Sequence, residues 1–409
     1  MNVRALLSNI ALVRYKHILA VAFIIAIGYV GWTPALITVD FAVFALQYKG
    51  DDSPSVREYL SNEYYNMLDF EEENVVRNKG TYINLHGLIA KTIGQQYMNQ
   101  RVKLFNGHLS GLNESQDTAL AIEQVTKLAE KQREKGKEFI FVFAPSQISK
   151  YEHMLPTGFV DYSNQNGDDL IEALKNNGVM VLDLREELNN SGISCTDAFF
   201  VTDHHWKPEI GFWAYTKIVD YLIQIGAIDE INTRFTDINE FDVTVYKDWF
   251  LGTSGKRTGI YFAGVDDFQI ITPRFETKDM NVMIPDWSVD RTGDFVTMAF
   301  NINANENNFF SANPYGVYGH GDTPLTHFRN ENAPIDMKVL TIGDSFTNVP
   351  CVFMPLVFSQ CDEMDMRFYS GDFLEYYQEY DPDVLVMLIG ASSISRPNTT
   401  YDFFSEFDE

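Results

Sequence analysis

A short apolar run that ends in a Gly-Asp-Ser turn constrains the fold of this chain more than any other feature. Residues 338–342 read Lys-Val-Leu-Thr-Ile, and Gly343, Asp344, Ser345 and Phe346 follow directly. Such a run predicts a buried strand that delivers the turn to its carboxyl end. A serine at that rim of an α/β sheet stands where the nucleophiles of hydrolases and acyltransferases lie. Alone, the tripeptide is also an ordinary turn.

The periodicity of the remaining chain agrees with an α/β fold. It predicts helices over residues 115–135, 168–175 and 208–226, and strands over residues 139–144, 179–184 and 383–389. This alternation predicts a mainly parallel sheet that is covered on both faces. Between about 232 and 335, aromatic and β-branched residues alternate with Gly and Asp. We expect β-hairpins and long loops there, as an insertion that helps to build a substrate cleft.

A serine nucleophile needs an imidazole to accept its proton and a carboxylate to orient that imidazole. Asp203, His204 and His205 offer such a pair upstream. The same residues are also typical of a solvated loop before a helix, or of a metal site. Because adjacent side chains diverge, we do not expect the two histidines to chelate one ion, and no further ligand pattern follows. No metal and no cofactor is predicted. His320 and His327 are alternative bases.

The two motifs together carry a family resemblance. The Gly-Asp-Ser block resembles that of SGNH hydrolases, and Asp-x-His-Trp upstream of the serine looks like the permuted arrangement of alginate O-acetyltransferase-like proteins. The chain is most similar to the bacterial DHHW-motif family, named for the residues at 203–206. Residues 248–259, Asp-Trp-Phe-Leu-Gly-Thr-Ser-Gly-Lys-Arg-Thr-Gly, extend the resemblance. It runs from about residue 55 to the C-terminus and implies a flavodoxin-like, three-layer α/β/α domain.

The resemblance implies a role for each residue of the set. Ser345 would carry the acetyl group, His205 would act as general base and then general acid, and Asp203 would fix the histidine tautomer. His204 is the lesser candidate. In ordinary SGNH hydrolases the aspartate and histidine follow the serine and read Asp-x-x-His, so the order here agrees with the acetyltransferase-like branch.

The residues that hold the substrate and the oxyanion are less sharply defined. The backbone N–H of Ser345 is the expected first oxyanion donor. Candidates for a second donor or for substrate binding are Ser254, Lys256, Arg257 and Asn330. The alternative interpretation of the Lys-Arg segment is a β-hairpin loop with a solvated basic tip. Several aromatic residues are candidates for stacking on sugar rings, although ordinary sheet packing is the more common role: Trp249, Tyr261, Trp287, Tyr315 and Tyr318.

The N-terminus predicts a membrane anchor. Arg4, Arg14 and Lys16 precede an uncharged apolar run over residues 18–39. That run is long enough to span a bilayer core of about 30 Å. Acidic residues follow it, so the positive-inside rule predicts a cytoplasmic N-terminus and an extracytoplasmic remainder. A cleavable signal peptide is the rival interpretation, but its apolar core is shorter.

The net charge of the chain limits the classes of molecule that the protein is expected to bind. The net charge is −26, which argues against nucleic acid or anionic lipid as a partner. It suits an extracytoplasmic enzyme that acts on neutral or cationic glycans.

Three cysteines, Cys195, Cys351 and Cys361, do not make a disulfide framework. We expect buried thiols, with a bond between Cys351 and Cys361 as the alternative.

These features predict three parts: a cytoplasmic stub and transmembrane anchor over residues 1–39, a linker and helical segment over 40–115, and an SGNH-like catalytic domain over 116–409. The resemblance implies a membrane-anchored O-acetyltransferase acting on a cell-surface or secreted polysaccharide. Its acetyl donor would be a multipass membrane acyltransferase. A carbohydrate acetylesterase of the same fold, or a non-catalytic glycan-binding or scaffold protein, are the alternatives.

Overall fold

The computed structural model describes residues 79–301, 304 and 308–394. The predicted anchor and the first part of the linker lie outside these residues. Contacts divide the chain into residues 1–82 and 83–409, and the sheets and the site discussed below lie in the second unit. Among the helices of the described ranges, none is long and apolar enough to cross a membrane.

The helices are α1 (Lys79–Thr92), α2 (Ala119–Glu134), α3 (Ser163–Asn176), α4 (Leu184–Ser191), α5 (Cys195–Ala198), α6 (Pro208–Gln224), α7 (Thr253–Thr258), α8 (Ile260–Ala263), α9 (Phe295–Ala299), α10 (Asn348–Phe353) and α11 (Phe373–Tyr380). The strands are β1 (Tyr97–Met98), β2 (Arg101–Lys103), β3 (Leu109–Ser110), β4 (Glu138–Phe143), β5 (Val181–Asp183), β6 (Phe241–Phe250), β7 (Asp266–Pro273), β8 (Met280–Ile284), β9 (Val289–Gly293), β10 (Leu325–Asn330), β11 (Ile335–Gly343), β12 (Phe358–Asp365) and β13 (Val384–Ile389).

One large mixed sheet organises the fold. Its eight strands follow the order β5-β4-β13-β11-β12-β10-β8-β9. The first five run parallel, and β10, β8 and β9 continue the sheet antiparallel. The expected α/β architecture with a large, mainly parallel sheet is therefore confirmed.

Both faces of the parallel strands are buried, as their continuous apolar sequences require. Along β4, Ile140 and Val142 pack into one core with residues of α6 and α10, whereas Phe139, Phe141 and Phe143 pack into the other with residues of α2, α3 and α11. Helix α6 has a proline in its first turn, and Gly226 with φ of 75° follows its end, as the sequence predicts.

The region from 232 to 335 adds strands to the main sheet and also forms a separate pair of strands. Strands β6 and β7 form a separate antiparallel pair, and β8 to β10 extend the main sheet. The alternative interpretation of the Lys256 and Arg257 segment as a β-hairpin loop is wrong, because α7 and α8 occupy this segment. Residues 97–110 form a small three-stranded sheet where the sequence suggested helices. All three cysteines are buried free thiols, so the expectation of buried thiols is confirmed and the alternative bond between Cys351 and Cys361 is absent.

Candidate active site

The serine turn, residues 343–347, leaves the carboxyl end of the central strand β11. A Cβ atom on Gly343 would stand 1.9 Å from the carbonyl oxygen of Leu388 on β13, so only glycine fits there. The carboxylate of Asp344 accepts hydrogen bonds from Phe346 N at 3.0 Å, from Gly390 N at 2.9 Å and from the hydroxyl of Ser393. Two adjacent parallel strands thereby fix where Ser345 stands.

Glu363, on the neighbouring strand β12, stabilises the same turn through a hydrogen bond with Thr347. The Thr347 hydroxyl donates to its carboxyl group at 2.5 Å and lies 2.8 Å from the carbonyl oxygen of Asp344. Burial raises the pKa of Glu363 to about 8, and the charges of Asp365 and Asp322 add to this effect. The carboxyl group is therefore largely protonated at neutral pH.

The histidine loop, residues 199–206, is an irregular segment between α5 and α6. A bridge between Phe199 and Trp206 closes its base. The Gln147 side-chain amide donates to the carbonyl oxygens of Phe200 and Asp203, each at 2.7 Å. The carboxylate of Asp266 accepts three hydrogen bonds from Val201 and Thr202 at the start of the loop. Side chains from distant parts of the chain therefore hold this loop.

The serine turn and the histidine loop meet in one chain of hydrogen bonds. His205 Nε2 lies 2.7 Å from Ser345 Oγ, and His205 Nδ1 lies 2.6 Å from Asp203 Oδ1. An ionised carboxylate only accepts, so the network assigns the ring proton to Nδ1 and leaves Nε2 to accept the serine proton. Ser345 is 6% exposed and His205 8% exposed.

A second contact fixes the other oxygen of Asp203. Thr253, the first residue of α7, donates to Asp203 Oδ2 from its backbone N at 2.6 Å and from its hydroxyl at 2.9 Å. A Cβ atom on Gly252 would lie 2.2 Å from the Asp203 Cβ, which explains the glycine. Burial alone would raise the pKa of the Asp203 carboxyl, but His204, His205 and the hydrogen bonds keep it well below its ordinary value. Asp203 stays ionised at neutral pH.

Aromatic rings enclose the imidazole of His205. Tyr315 stacks on it with centroids 4.2 Å apart and an angle of 15°, and Phe346 packs at 5.3 Å. Tyr315 and Tyr318 are buried in the core, so these two do not face a sugar. The stack restricts rotation of the His205 ring and holds Nε2 towards the serine.

His204 lies beside the pair without joining it. Its Nδ1 is 3.4 Å from Asp203 Oδ1, and its side chain is 44% exposed. Its ring centroid is 3.9 Å from that of His205, so the expectation that the two side chains diverge is wrong. Asp203, His204 and His205 have ligand atoms close enough for one ion. However, His205 and both oxygens of Asp203 are already committed to hydrogen bonds, and we assign no metal here.

Of the four further candidates, Ser254, Lys256 and Arg257 lie on α7, and Asn330 lies on β10. Ser254 is buried and accepts a hydrogen bond from Arg101 Nε at 2.9 Å. Lys256 Nζ donates to the carbonyl oxygen of Ala312 at 2.6 Å, and Arg257 reaches the side chain of Gln100 at 3.3 Å. Asn330 ends β10, which runs antiparallel to the parallel pair of β12 and β11. It therefore lies at the end of the sheet opposite Ser345, and its assignment as an oxyanion donor is wrong.

The alternative bases are occupied elsewhere. His320 accepts from Arg291 at 3.0 Å and faces the carbonyl oxygen of Met298, also at 3.0 Å. His327 pairs with Asp362 at 3.0 Å on β10 and β12. Sequence reasoning missed Gln147, Thr253 and Asp266, because their role depends on contacts between distant segments. For Thr253 a signal existed, since the residue lies within the segment that carries the family resemblance.

The structure thus combines a large mixed α/β sheet with a serine on its central turn, and this serine contacts a histidine that is paired with an aspartate, as the resemblance to SGNH hydrolases implies. Residues 104–234 match the family model described as the SGNH hydrolase-like domain of the acetyltransferase AlgX, which confirms the resemblance seen in the sequence. The matched segment contains Asp203 and His205.

Solved structures share this fold at low sequence identity. Bacillus cereus PatB1 is 19% identical, with a TM-score of 0.60 over 71% of this chain and 95% of that chain. PatB1 has also been solved with a sulfonyl adduct, at 17% identity and a TM-score of 0.59, over 71% of this chain and 96% of that one. A DHHW family protein from Eubacterium siraeum is 16% identical, with a TM-score of 0.55 over 74% and 94%. No curated protein sequence matches the chain.

Proposed function

We propose that this protein is a serine-dependent O-acetyltransferase that modifies a hydroxyl group of a cell-surface or secreted polysaccharide. The observation that carries the proposal is the hydrogen-bonded chain from Ser345 Oγ through His205 to Asp203. Serine activated in this way is the nucleophile of acyl-transfer enzymes on unrelated folds. The family match supports acetyl as the transferred group, because it is described as an acetyltransferase domain.

In the first half-reaction, Ser345 Oγ attacks the carbonyl carbon of the acetyl donor while His205 Nε2 takes the serine proton. Asp203 stabilises the imidazolium that forms, and its fixed position prevents the ring from turning. The tetrahedral intermediate then expels the donor's alkoxide, which receives the proton from His205. The acetyl group remains on Ser345 as an ester.

In the second half-reaction, an acceptor hydroxyl attacks the Ser345 ester while His205 Nε2 takes the hydroxyl proton. The intermediate collapses to the acetylated sugar, and His205 returns its proton to Ser345 Oγ. The backbone N–H of Ser345 makes no hydrogen bond within the described part of the chain, so it is available to the oxyanion. Water in place of the sugar would give hydrolysis, so the acceptor distinguishes a transferase from an esterase.

The sequence supports an extracytoplasmic, membrane-anchored setting for this activity. The apolar run over residues 18–39 and its basic flank would anchor the chain and place the site outside the cytoplasm. A substrate delivered there needs a donor that passes acetyl groups across the membrane. The resemblance implies a multipass acyltransferase partner in that role.

Intact-mass spectrometry of the full chain in neutral detergent, mixed with 4-nitrophenyl acetate, tests the proposal. One acetyl group that maps to Ser345, disappears in Ser345→Ala and moves to an added oligosaccharide is the expected result. Release of acetate alone with every acceptor would indicate an esterase. The absence of both adduct and turnover would contradict acyl chemistry and favour a glycan-binding protein.

A further inference from the structure

Helix α1 has a row of aliphatic side chains on its outer face. Leu85, Leu88, Ile89 and Ile93 recur at the spacing that places side chains on one side of a helix. Ile93 follows α1 directly, and its backbone N–H continues the last turn by donating to the carbonyl oxygen of Ile89 at 3.0 Å. These four residues, which we call the α1 stripe, are between 43% and 70% exposed. A contiguous exposed apolar patch marks an interaction surface.

The opposite face of α1 is fixed against α7 and α8. A Cβ atom on Gly87 would stand 2.3 Å from the carbonyl oxygen of Thr258, so only glycine allows this close approach. The Asn84 side chain accepts a hydrogen bond from Ile260 N at 2.7 Å, and Ala90 is buried on the same face. Helix α1 therefore cannot turn to bury its stripe without losing these contacts.

Acidic residues are absent from the two segments that meet at α1. Residues 83–113, with α1, and residues 249–265, with α7 and α8, contain no Asp or Glu, although the chain has a net charge of −26. Burial and, to a lesser extent, the charge of Lys91 lower the pKa of Lys103, so these two cations lie near each other. Lysines beside an apolar stripe suit an anionic lipid surface, which repels carboxylates. The net charge of the whole chain argues against such a partner, but local charge decides the contact.

Exposed tyrosines accompany the α1 stripe. Tyr261 lies on α8 next to Ile260, whose backbone N is bonded to α1, and Tyr97 begins β1 a few residues after α1. Both tyrosines are exposed. A tyrosine ring is apolar and its hydroxyl is polar, so this residue favours the boundary between water and the acyl region of a membrane.

We propose that the α1 stripe docks on the outer surface of the bilayer that would hold the predicted anchor. Helix α1 has 14 residues and a span needs about 20, so it would lie in the plane of the interface. Residues 40–78 join the predicted anchor over residues 18–39 to α1 in one chain. The contact would therefore be intramolecular and needs only a modest affinity.

Docking at α1 would also orient the active site. Gly87 packs against Thr258, the last residue of α7, and Thr253, its first residue, binds the Asp203 carboxylate. Only the six residues of α7 separate these two contacts. Docking would thus hold the reactive serine near the bilayer, where a membrane-borne donor would present its acetyl group. This benefit rests on the proposed function, whereas the docking itself does not.

A second copy of the chain and residues 40–78 are the competing occupants of the α1 stripe. A stable dimer buries about 800 Å² on each partner, more than four aliphatic side chains provide. The acid-free surroundings, the lysines and the tyrosines favour the lipid surface. The test below has a separate outcome for each occupant.

Nitroxide labels on single engineered cysteines test the proposal in the full chain, in nanodiscs of phosphatidylcholine and phosphatidylglycerol. The three native cysteines are buried, so Leu88→Cys and Leu120→Cys each offer one accessible thiol. Leu120 on α2 is the matched control, because it is a helical leucine that is 44% exposed, against 43% for Leu88. We expect the label at position 88 to collide with oxygen rather than with a water-soluble nickel chelate, at a depth of about 5–10 Å. The label at position 120 should show the opposite preference.

Adding Leu85→Ser and Ile89→Ser to the Leu88→Cys chain should return that label to water. The same pair of changes should leave the acylation of Ser345 by 4-nitrophenyl acetate unchanged, which also confirms the fold. Because the collision measurement needs no acetyl group, failure of docking is distinguishable from failure of the proposed function.

Equal exposure to water at positions 88 and 120 would overturn the proposal. A label at position 88 that is shielded from both oxygen and nickel would also overturn it. In that case, a spin–spin distance between two labelled chains would identify a second copy as the occupant, and its absence would point to residues 40–78.

Discussion

The serine turn and the histidine loop meet at one hydrogen bond, yet they are held in different ways. The serine turn follows a buried strand and is fixed by atoms of the two adjacent strands, chiefly through Gly343, Asp344 and Glu363. The histidine loop has little regular structure and depends on Gln147, Thr253 and Asp266, each remote in sequence. The core therefore stabilises one half of the site, and a few polar side chains orient the other.

This difference predicts how substitutions divide between stability and chemistry. Changes around the histidine loop should reduce the rate of acetyl-enzyme formation while the fold persists, since few core contacts are lost. Changes around the serine turn should alter the free energy of unfolding, because they disturb the central strands.

The largest effect is expected for His205→Ala. Without the imidazole, Ser345 has no proton acceptor, so acetyl-enzyme formation should slow on the order of 10⁴-fold. Stopped-flow measurement of 4-nitrophenol release gives the rate, and circular dichroism checks that the fold is retained. A variant that unfolds would show that His205 is needed for the stability of the fold. That result would contradict the view that changes in the histidine loop leave the core intact.

Gly252→Ala should have the next largest effect. The new Cβ would stand 2.2 Å from the Cβ of Asp203, while the glycine's φ of −74° suits alanine, so the cost is purely steric. Displacing the carboxylate by about 1 Å should slow acylation about 10²-fold. Gly316→Ala is the control, because its Cβ would meet only ordinary contacts at 3.7 Å or more. Equal losses in both variants would contradict this steric account.

Thr253→Val should lower the acylation rate about tenfold, because it removes the hydroxyl that binds Asp203 Oδ2 while keeping the backbone bond. Thr253→Ser retains that hydroxyl and should restore most of the rate. Rate profiles between pH 5 and 9 would separate orientation of the His205–Asp203 pair from simple loss of packing. If serine fails to restore the rate, the methyl group rather than the hydroxyl matters.

Glu363→Gln should have the smallest effect on chemistry and a clear effect on stability. The folded pKa of about 8 exceeds the ordinary value of 4.5, so the folded state holds this proton more tightly than the unfolded chain does. Its contribution is complete below pH 4.5 and is lost as pH rises through about 8. The free energy of unfolding should therefore fall by up to about 1.4 kcal/mol per pH unit in that window.

Urea unfolding between pH 4.5 and 8.5 measures this slope in the wild type and in Glu363→Gln, which should remove it. Glu134→Gln changes an exposed glutamate and should leave the slope as it is. An unaltered slope in Glu363→Gln would mean that another group titrates in the window.

The sequence allowed the serine side of the site to be predicted better than its surroundings. Continuous apolar runs identify β4, β11 and β13, because a strand buried on both faces has that signature. The segment of α7 and α8 was misread as a hairpin because its glycines resemble turn residues. Gly252 and Gly255 instead allow close approach to Asp203 and Thr202. Asn330 was misplaced because nearness in sequence does not reveal an antiparallel strand.

Covalent labelling with an aryl sulfonyl fluoride tests the central claim most directly, namely that the two halves of the site make Ser345 a nucleophile. Such reagents sulfonylate an activated hydroxyl group, and PatB1 of the same fold has been solved with a sulfonyl adduct. The prediction is one sulfonyl group on the full chain, mapped to Ser345 and formed far more slowly in His205→Ala. No label, or a label on Ser345 that forms equally fast without His205, would contradict it.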